Sequence, residues 1–190
     1  MIQTPIDLES LIDKALYEDL SIGDRTTDLL IESSLQSTAT LVAKNNGILA
    51  GLEACMRVFH RLDPLICITP EICAGATLKH GQVIARISGK AHSILRSERT
   101  ALNFLQRTCG IATETRKYVD QVAGFNVRII DTRKPTPGLR MLEKYAVSVG
   151  GGYNHRINLG DGVLIKDNHI QLLKRQGMTL TTIIKAAKAR

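Results

Sequence analysis

The sequence has few of the groups with which proteins stack bases, bind structural metals or cross membranes. Aromatic residues make up only 4% of the chain, which leaves few platforms for nucleobases. Lysine and arginine form no continuous tract. They alternate with acids or gather in short loop motifs, so the formal charge of +7 and the pI near 9.4 point away from nucleic acid and toward small anions. No run approaches the ~20 apolar residues that a membrane span takes. The opening MIQTPIDLES lacks the basic start and apolar stretch of a secretory leader, so no membrane partner is expected and the expected location is cytoplasmic. Cys55, Cys67, Cys73 and Cys109 make no C-x-x-C pair, and no nearby histidine completes a zinc spacing. They read as reduced thiols without metal.

What remains describes a globular α/β chain. The 190 residues are 44% apolar, enough for a sizeable core. Thr4-Pro5-Ile6-Asp7 reads as a helix start, followed by Leu8, Leu11, Ile12, Ala15 and Leu16 at helical spacing. A polar loop is expected from Glu18 to Thr27. Alternation from Thr38 to Lys44 predicts a strand, and Asn46-Gly47 a tight turn into Ile48-Leu49-Ala50. Cys55, Val58, Phe59 and Leu62 mark a helix stopped by Pro64. Residues 65–69 and 83–87 read as strands. A helix is expected over about 93–108, with Leu95, Leu102, Leu105 and Cys109 on one face and Arg96, Arg99, Asn103 and Arg107 on another. Glu98 falls on the apolar side, and Gly110 is expected to break the helix before a second one.

The texture changes near Phe125. Val127–Ile130 is a short apolar run entering Asp131-Thr132-Arg133-Lys134, and Val163–Ile165 is another entering Lys166-Asp167-Asn168-His169. A helix from Gly138 to the Gly150-Gly151-Gly152 stop lies between them, and a last helix is expected over 182–190. Strand, polar loop and helix, twice over, is the pattern of parallel βα units, whose ligand sites lie at the C-terminal strand ends. The expected domains are an N-terminal α/β sandwich with linking helices over 1–124, then the first units of an incomplete TIM-like α/β barrel over 125–190. That second stretch accommodates two strand–helix units of about 30 residues, against the ~250 of a closed barrel.

Arg133, Lys134, Arg140, His155, Arg156, Lys166 and His169 crowd into these loops. Arginine grips carboxylate or phosphate with two parallel bonds and lysine acts as a mobile point charge. The pattern therefore calls for a multiply charged small ligand; sugar phosphates, nucleotides and di-acids all qualify. Plainer roles exist too. His169 fits a helix cap, Arg140 a surface charge or an ion pair, and Asp131 an orienting partner for nearby cations.

Asp131-Thr132-Arg133-Lys134-Pro135-Thr136-Pro137-Gly138-Leu139-Arg140 resembles the D-T-R-K-T-x-P-G-L-R motif of the quinolinate phosphoribosyltransferases. Lys144-Tyr145-Ala146-Val147, the triple glycine, Asn154-His155-Arg156 and Leu164–His169 follow in that family's order. Gly23–Thr27 and Ser97–Asn103 match upstream. The resemblance implies transfer of the phosphoribosyl group of phosphoribosyl pyrophosphate to quinolinate with decarboxylation. The products are nicotinate mononucleotide, pyrophosphate and CO2, and the reaction uses Mg2+. It implies Arg133, His155, Arg156 and Lys166 as the dicarboxylate clamp and Lys134 reaching both substrates, with Lys134 and Lys166 as the catalytic cations. It also implies a homodimer in which Arg99 enters the neighbouring subunit's site. Pro135 stands where the family has threonine, which removes a hydroxyl and a backbone donor. In the family, later barrel strands supply the carboxylates linked to magnesium and the ribose hydroxyls, and these motifs do not occur in the 190 residues. The stretch alone is therefore expected to be inactive. A relative with a different substrate and a non-catalytic basic module are the competing readings.

Overall fold

The computed structural model describes residues 5–189, and the chain divides into two compact units, one running to His155 and the other starting at Arg156. The first unit opens on α1 (Pro5–Leu20). The cap expected at Thr4 lies outside the described residues. Ile12 and Leu16 are buried, with Leu8, Leu11 and Ala15 packed beside them, as the helical spacing requires. The loop expected over 18–27 is shorter than that. α1 continues to Leu20, and α2 (Arg25–Leu30) begins where the Asp24 carboxylate accepts from the Thr27 N–H at 3.0 Å and from the Thr27 hydroxyl. An aspartate bonded to the amide three residues on is a helix N-cap.

The chain then runs through β1 (Gln36–Val42), β2 (Gly47–Ile48), α3 (Leu52–Leu62), β3 (Cys67–Pro70), β4 (Thr77–Leu78) and β5 (Val83–Lys90). The tight turn at Asn46-Gly47 does not fold β2 back on β1. β1 pairs antiparallel with β5, Thr38 opposite Ser88, and β3 flanks β5 on the other side, while β2 pairs with β4. β5 takes the centre because Ile84, Ala85 and Ile87 are all buried, and a strand with that much apolar surface gains most from neighbours on both edges. Helices α1 and α3 bring Ile12, Leu16, Cys55, Val58 and Phe59 to the same core as Ile84 and Ile87. The architecture is α/β.

Helix α4 (Ala91–Gln121) is one continuous element of 31 residues, so Gly110 does not interrupt it. Its buried line is Ile94, Ser97, Ala101, Phe104, Leu105, Thr108, Ala112 and Thr115, rotated from the expected Leu95–Leu102 stripe. Leu95 is 44% exposed and Glu98 is on the surface. The rotation has a chemical cause. Small hydroxyl residues form much of the face and find acceptors on the preceding turn or across it: Ser97 Oγ donates to Ser93 O at 2.7 Å, Thr108 Oγ1 lies 2.8 Å from Phe104 O, and Thr100 Oγ1 donates to Asp19 Oδ2 at 2.9 Å. Thr108 Oγ1 also reaches Ala50 O at 2.7 Å, and Thr113 Oγ1 accepts from Ile48 N–H at 2.9 Å. These contacts hold α4 through its glycine.

After α4 the expected strand over 127–130 reduces to one parallel bridge, Ile130 with Tyr153. Helix α5 (Arg140–Val149) buries Leu142 and Ala146 as expected. The triple glycine that follows is more than a helix stop. A Cβ on Gly150 would stand 2.5 Å from Ala112 O and 2.7 Å from Thr115 Cβ, so the backbone there lies directly on α4.

The second unit contains α6 (Asp167–Arg175) and α7 (Leu180–Lys188). The strand expected over 163–165 has no ladder partner among the described residues, and Val163 is 76% exposed. A parallel strand needs cover on both faces, and a short apolar run does not by itself specify one.

Two glycines separate packing from propensity. A Cβ on Gly110 would meet nothing within 4 Å, so Gly110→Ala should raise stability by about 0.5–1 kcal/mol. Gly51 has φ +81° and a Cβ there would sit 2.2 Å from Thr108 Oγ1, so Gly51→Ala should cost more than ~2 kcal/mol. Urea unfolding followed by circular dichroism reads both.

Candidate anion site

The strand-end motifs of the first unit meet at the single parallel bridge. Tyr153 N–H donates to Ile129 O at 2.9 Å and Asp131 N–H donates to Tyr153 O at 3.0 Å. Two residues further along, His155 N–H donates to Asp131 Oδ1 at 2.7 Å. The segment carrying Arg133 and Lys134 and the segment carrying His155 therefore run side by side in the same direction.

Lys144, on α5, closes this arrangement from below. Its side chain is 3% exposed, and Nζ donates to Asp131 Oδ1 at 2.7 Å, Asp131 Oδ2 at 2.6 Å and His155 O at 2.9 Å. The three ammonium protons thus each have an acceptor. The Asn154 amide fits when its nitrogen faces Asp131 Oδ2 at 3.1 Å and Lys144 O at 3.0 Å and its oxygen accepts from Ser148 Oγ at 3.0 Å. Asp131 accordingly serves as the orienting partner of a cation. Sequence reasoning missed Lys144 as that cation. Two residues from both Leu142 and Ala146, it lies on the other side of α5 from their core face, so apolar spacing gives no sign of its burial, which the counter-charge of Asp131 makes possible.

Above this node, Arg133 is half-buried and its Nε is enclosed without a hydrogen-bond partner among the described residues. Lys134 is exposed, and its N–H donates to Thr132 Oγ1 at 3.1 Å. The loop between them and α5 is tied to α4. Arg107 Nε donates to Glu143 Oε1 at 3.0 Å, Arg107 also reaches the Thr136 hydroxyl at 2.5 Å, and Glu143 Oε2 accepts Thr136 N–H at 3.2 Å. The Glu143 side chain is only 12% exposed. Of the arginine face on α4, Arg107 is committed to Glu143 and Arg96 to Asp28, while Arg99 stands exposed.

In the second unit, Arg156 Nη1 donates to Gly162 O at 2.8 Å, and Lys166 precedes α6 on the surface. His169 Nδ1 accepts from Lys166 N–H at 2.9 Å, which is the helix-capping role read for it above. Clefts elsewhere are lined by other residues. One of about 170 Å³ is bordered by Asp19, Thr100, Asn103, Arg107 and Leu139, and one of about 470 Å³ by Leu41, Asn46, Leu105, Cys109 and Thr113. Neither is lined by Arg99, Arg133, Lys134 or His155.

Among the described residues no three His, Cys, Asp or Glu side chains gather as a ligand set, and Asp131 is already occupied by Lys144 and two amides. The thiols are no better placed. Burial pushes the Cys55 thiol up to about 12 and raises that of Cys109, which sits against Ala50. The Thr27 hydroxyl and amide hold the Asp24 carboxyl below its ordinary value near 3.8. What that capping contributes is present above 3.8 and is lost as pH falls through the lower, folded value.

Residues 24–109 match the model described as "Quinolinate phosphoribosyl transferase, N-terminal domain", and residues 111–190 the corresponding "C-terminal domain". The chain belongs to the quinolinate phosphoribosyl transferase family. It is 45% identical over 166 residues to a probable nicotinate-nucleotide pyrophosphorylase [carboxylating] of Bacillus subtilis (strain 168), covering 87% of this chain and 57% of that one. Among solved structures it is similar to NadC from Streptococcus pyogenes, with TM-score 0.92, 39% identity, and 98% of this chain on 65% of that one. Nicotinate-nucleotide pyrophosphorylase from Ehrlichia chaffeensis is 35% identical with TM-score 0.89, covering 98% of this chain and 67% of that one. The chain thus spans between half and two thirds of the length of these relatives. Among the described residues no helix is long and apolar enough to cross a membrane.

The loop tether is testable. Glu143→Gln removes the charge that Arg107 and Thr136 share. It should cost about 1–2 kcal/mol in urea unfolding, toward the lower end of the ~1.5–3 kcal/mol of a charged hydrogen bond because Arg107 is partly solvated and glutamine can still accept. In the same folded protein, Cys67 and Cys73 are exposed and Cys55 is buried. A thiol reagent at pH 8 should therefore count two fast cysteines, with Cys55 reacting only on unfolding.

Proposed function

We propose that this chain is the quinolinate-gripping portion of an enzyme that transfers the phosphoribosyl group of phosphoribosyl pyrophosphate to quinolinate with loss of CO2. The division proposed is a sandwich domain to residue 124 and the beginning of a barrel from 125. Arg133 and His155, with Arg156 and Lys166 of the following segment, would hold the two carboxylates, and Lys134 the phosphoribosyl donor. A homodimer would bring the exposed Arg99 of one subunit into the site of the next. The cytoplasm is the proposed location.

The observation that supports this best is the parallel bridge of Ile130 with Tyr153, which sets the Asp131–Lys134 and Asn154–His155 motifs in one direction at adjacent strand ends. The enclosed, unpartnered Arg133 Nε also favours an external anion, because buried donors are seldom left without an acceptor.

The chemistry asks mainly for placement. The pyridine nitrogen attacks the ribose carbon as its bond to pyrophosphate breaks, so positive charge builds on the sugar while the leaving group becomes more negative. Cations aligned on the carboxylates keep the ring nitrogen in line, a contribution of orientation and electrostatics without a covalent intermediate. Loss of the 2-carboxylate then places the electron pair beside the positive ring nitrogen, and a proton from solvent completes nicotinate mononucleotide. Magnesium would neutralise pyrophosphate when bound. No ligand set for it gathers among the described residues, so no step here is assigned to it.

Isothermal titration of the 190-residue chain should show quinolinate binding that weakens at least tenfold in Arg133→Ala, the loss of a charge-assisted bond worth about 1.5–3 kcal/mol. Nicotinate, with one carboxylate, should bind more weakly. Mixing the chain with quinolinate, phosphoribosyl pyrophosphate and magnesium should yield no nicotinate mononucleotide. Steeply salt-dependent DNA or RNA binding without quinolinate binding would replace this reading by a basic binding module.

A further inference from the structure

Lys144 lies outside the set of clamp residues, yet it is the most enclosed charge in this part of the chain. Its side chain is 3% exposed and that of Asp131 10%. Bringing both out of water is costly, and replacement by apolar groups is often neutral or stabilising. Stability alone is therefore a weak reason for this pair. What the pair does is geometric. Lys144 Nζ bonds both oxygens of Asp131 and the carbonyl of His155, at 2.6, 2.7 and 2.9 Å, while Asp131 Oδ1 takes the His155 amide at 2.7 Å. Both backbone polar groups of His155 are thereby fixed to one ion pair. The other end of the same pair is two residues from Arg133. The strand ladder contributes little to this register, since Ile130 with Tyr153 is a lone bridge.

We propose that Lys144 and Asp131 are positioning residues that hold the His155 backbone in register with the Arg133 segment, so that the two can grip two carboxylates of one ligand together. The inference rests on the dicarboxylate reading above and adds to it a source of selectivity. A monocarboxylate needs one gripping element. A dicarboxylate needs two at a fixed separation, and only the second depends on the node. Loosening the node should therefore cost quinolinate more than nicotinate, whereas general unfolding would cost both alike.

The test compares wild type, Lys144→Met, Lys144→Arg and Asn154→Ala as 190-residue chains. Two readouts are taken: affinity for quinolinate and for nicotinate by titration calorimetry, and hydrogen exchange of the His155 amide by NMR. In Lys144→Met the quinolinate-to-nicotinate affinity ratio should fall about tenfold and the His155 amide should exchange at least tenfold faster, with the helical circular dichroism unchanged. Lys144→Arg, which keeps the charge, should recover part of the ratio. If Lys144→Met does not fold, Asn154→Ala carries the test, because it removes the amide donor that reaches Asp131 Oδ2 at 3.1 Å and leaves the ion pair; it should move both readouts by about threefold. An unchanged ratio with unchanged His155 exchange overturns the inference while leaving the function in place. A wild-type chain that binds neither acid overturns the function, and the exchange rates then decide separately whether the lock exists.

Discussion

Thr108 sits where helix α4 presses against the chain between β2 and α3. Its hydroxyl reaches Ala50 O at 2.7 Å, and the Gly51 backbone lies so close that a Cβ would overlap it. Cys109 and Thr113 extend the same contact, the thiol at 3.3 Å from Ala50 N and O and the hydroxyl at 2.9 Å from Ile48 N. Most other elements of the first unit pack against the same helix. The core of α1, α3 and β5 lies along the N-terminal half of the helix, and α5 with its glycines lies along the rest. Polar groups that meet at such a depth must all be paired, because a buried orphan costs more than a pair gains. The seam therefore permits one relative placement of helix and strand.

The same requirement explains what was legible in the residues alone. α1, α3 and α5 announce themselves through apolar spacing, β1 through alternation, and β5 through a short apolar run between glycines. The face of α4 does not, because Ser97, Thr100, Thr108 and Thr115 are buried without being apolar. A hydroxyl that satisfies itself on the turn before it behaves as a small core residue, and no hydrophobicity pattern records that. The pairing of β1 with the distant β5 was likewise invisible beside the local Asn46-Gly47 signal, since pairing is decided by which strand has most surface to cover.

At the site the motifs named the cations but not the scaffolding. Arg133 and Lys134 follow one side of the parallel bridge and His155 the other, on a segment around Tyr153 that was not expected as a strand, while the expected strand over 163–165 has no ladder. Lys144 looked like one member of a family motif, and its burial becomes apparent only when Asp131 is seen to face it. Arg107 belonged to an arginine face that could equally have been solvated. It is spent instead on Glu143 and the Thr136 hydroxyl, leaving Arg99 as the projecting cation of that face. Such divisions between gripping and bracing charges depend on distances of a few ångström across the chain, which spacing in sequence does not encode.

The bare backbone of Gly150 against Ala112 and Thr115 has a mechanical consequence. Side chains between two elements act as a cushion, because their rotamers absorb small displacements. Here there is none. The helix that presents Arg99 and the loop that presents His155 are therefore joined through a contact with little side-chain slack to take up a displacement.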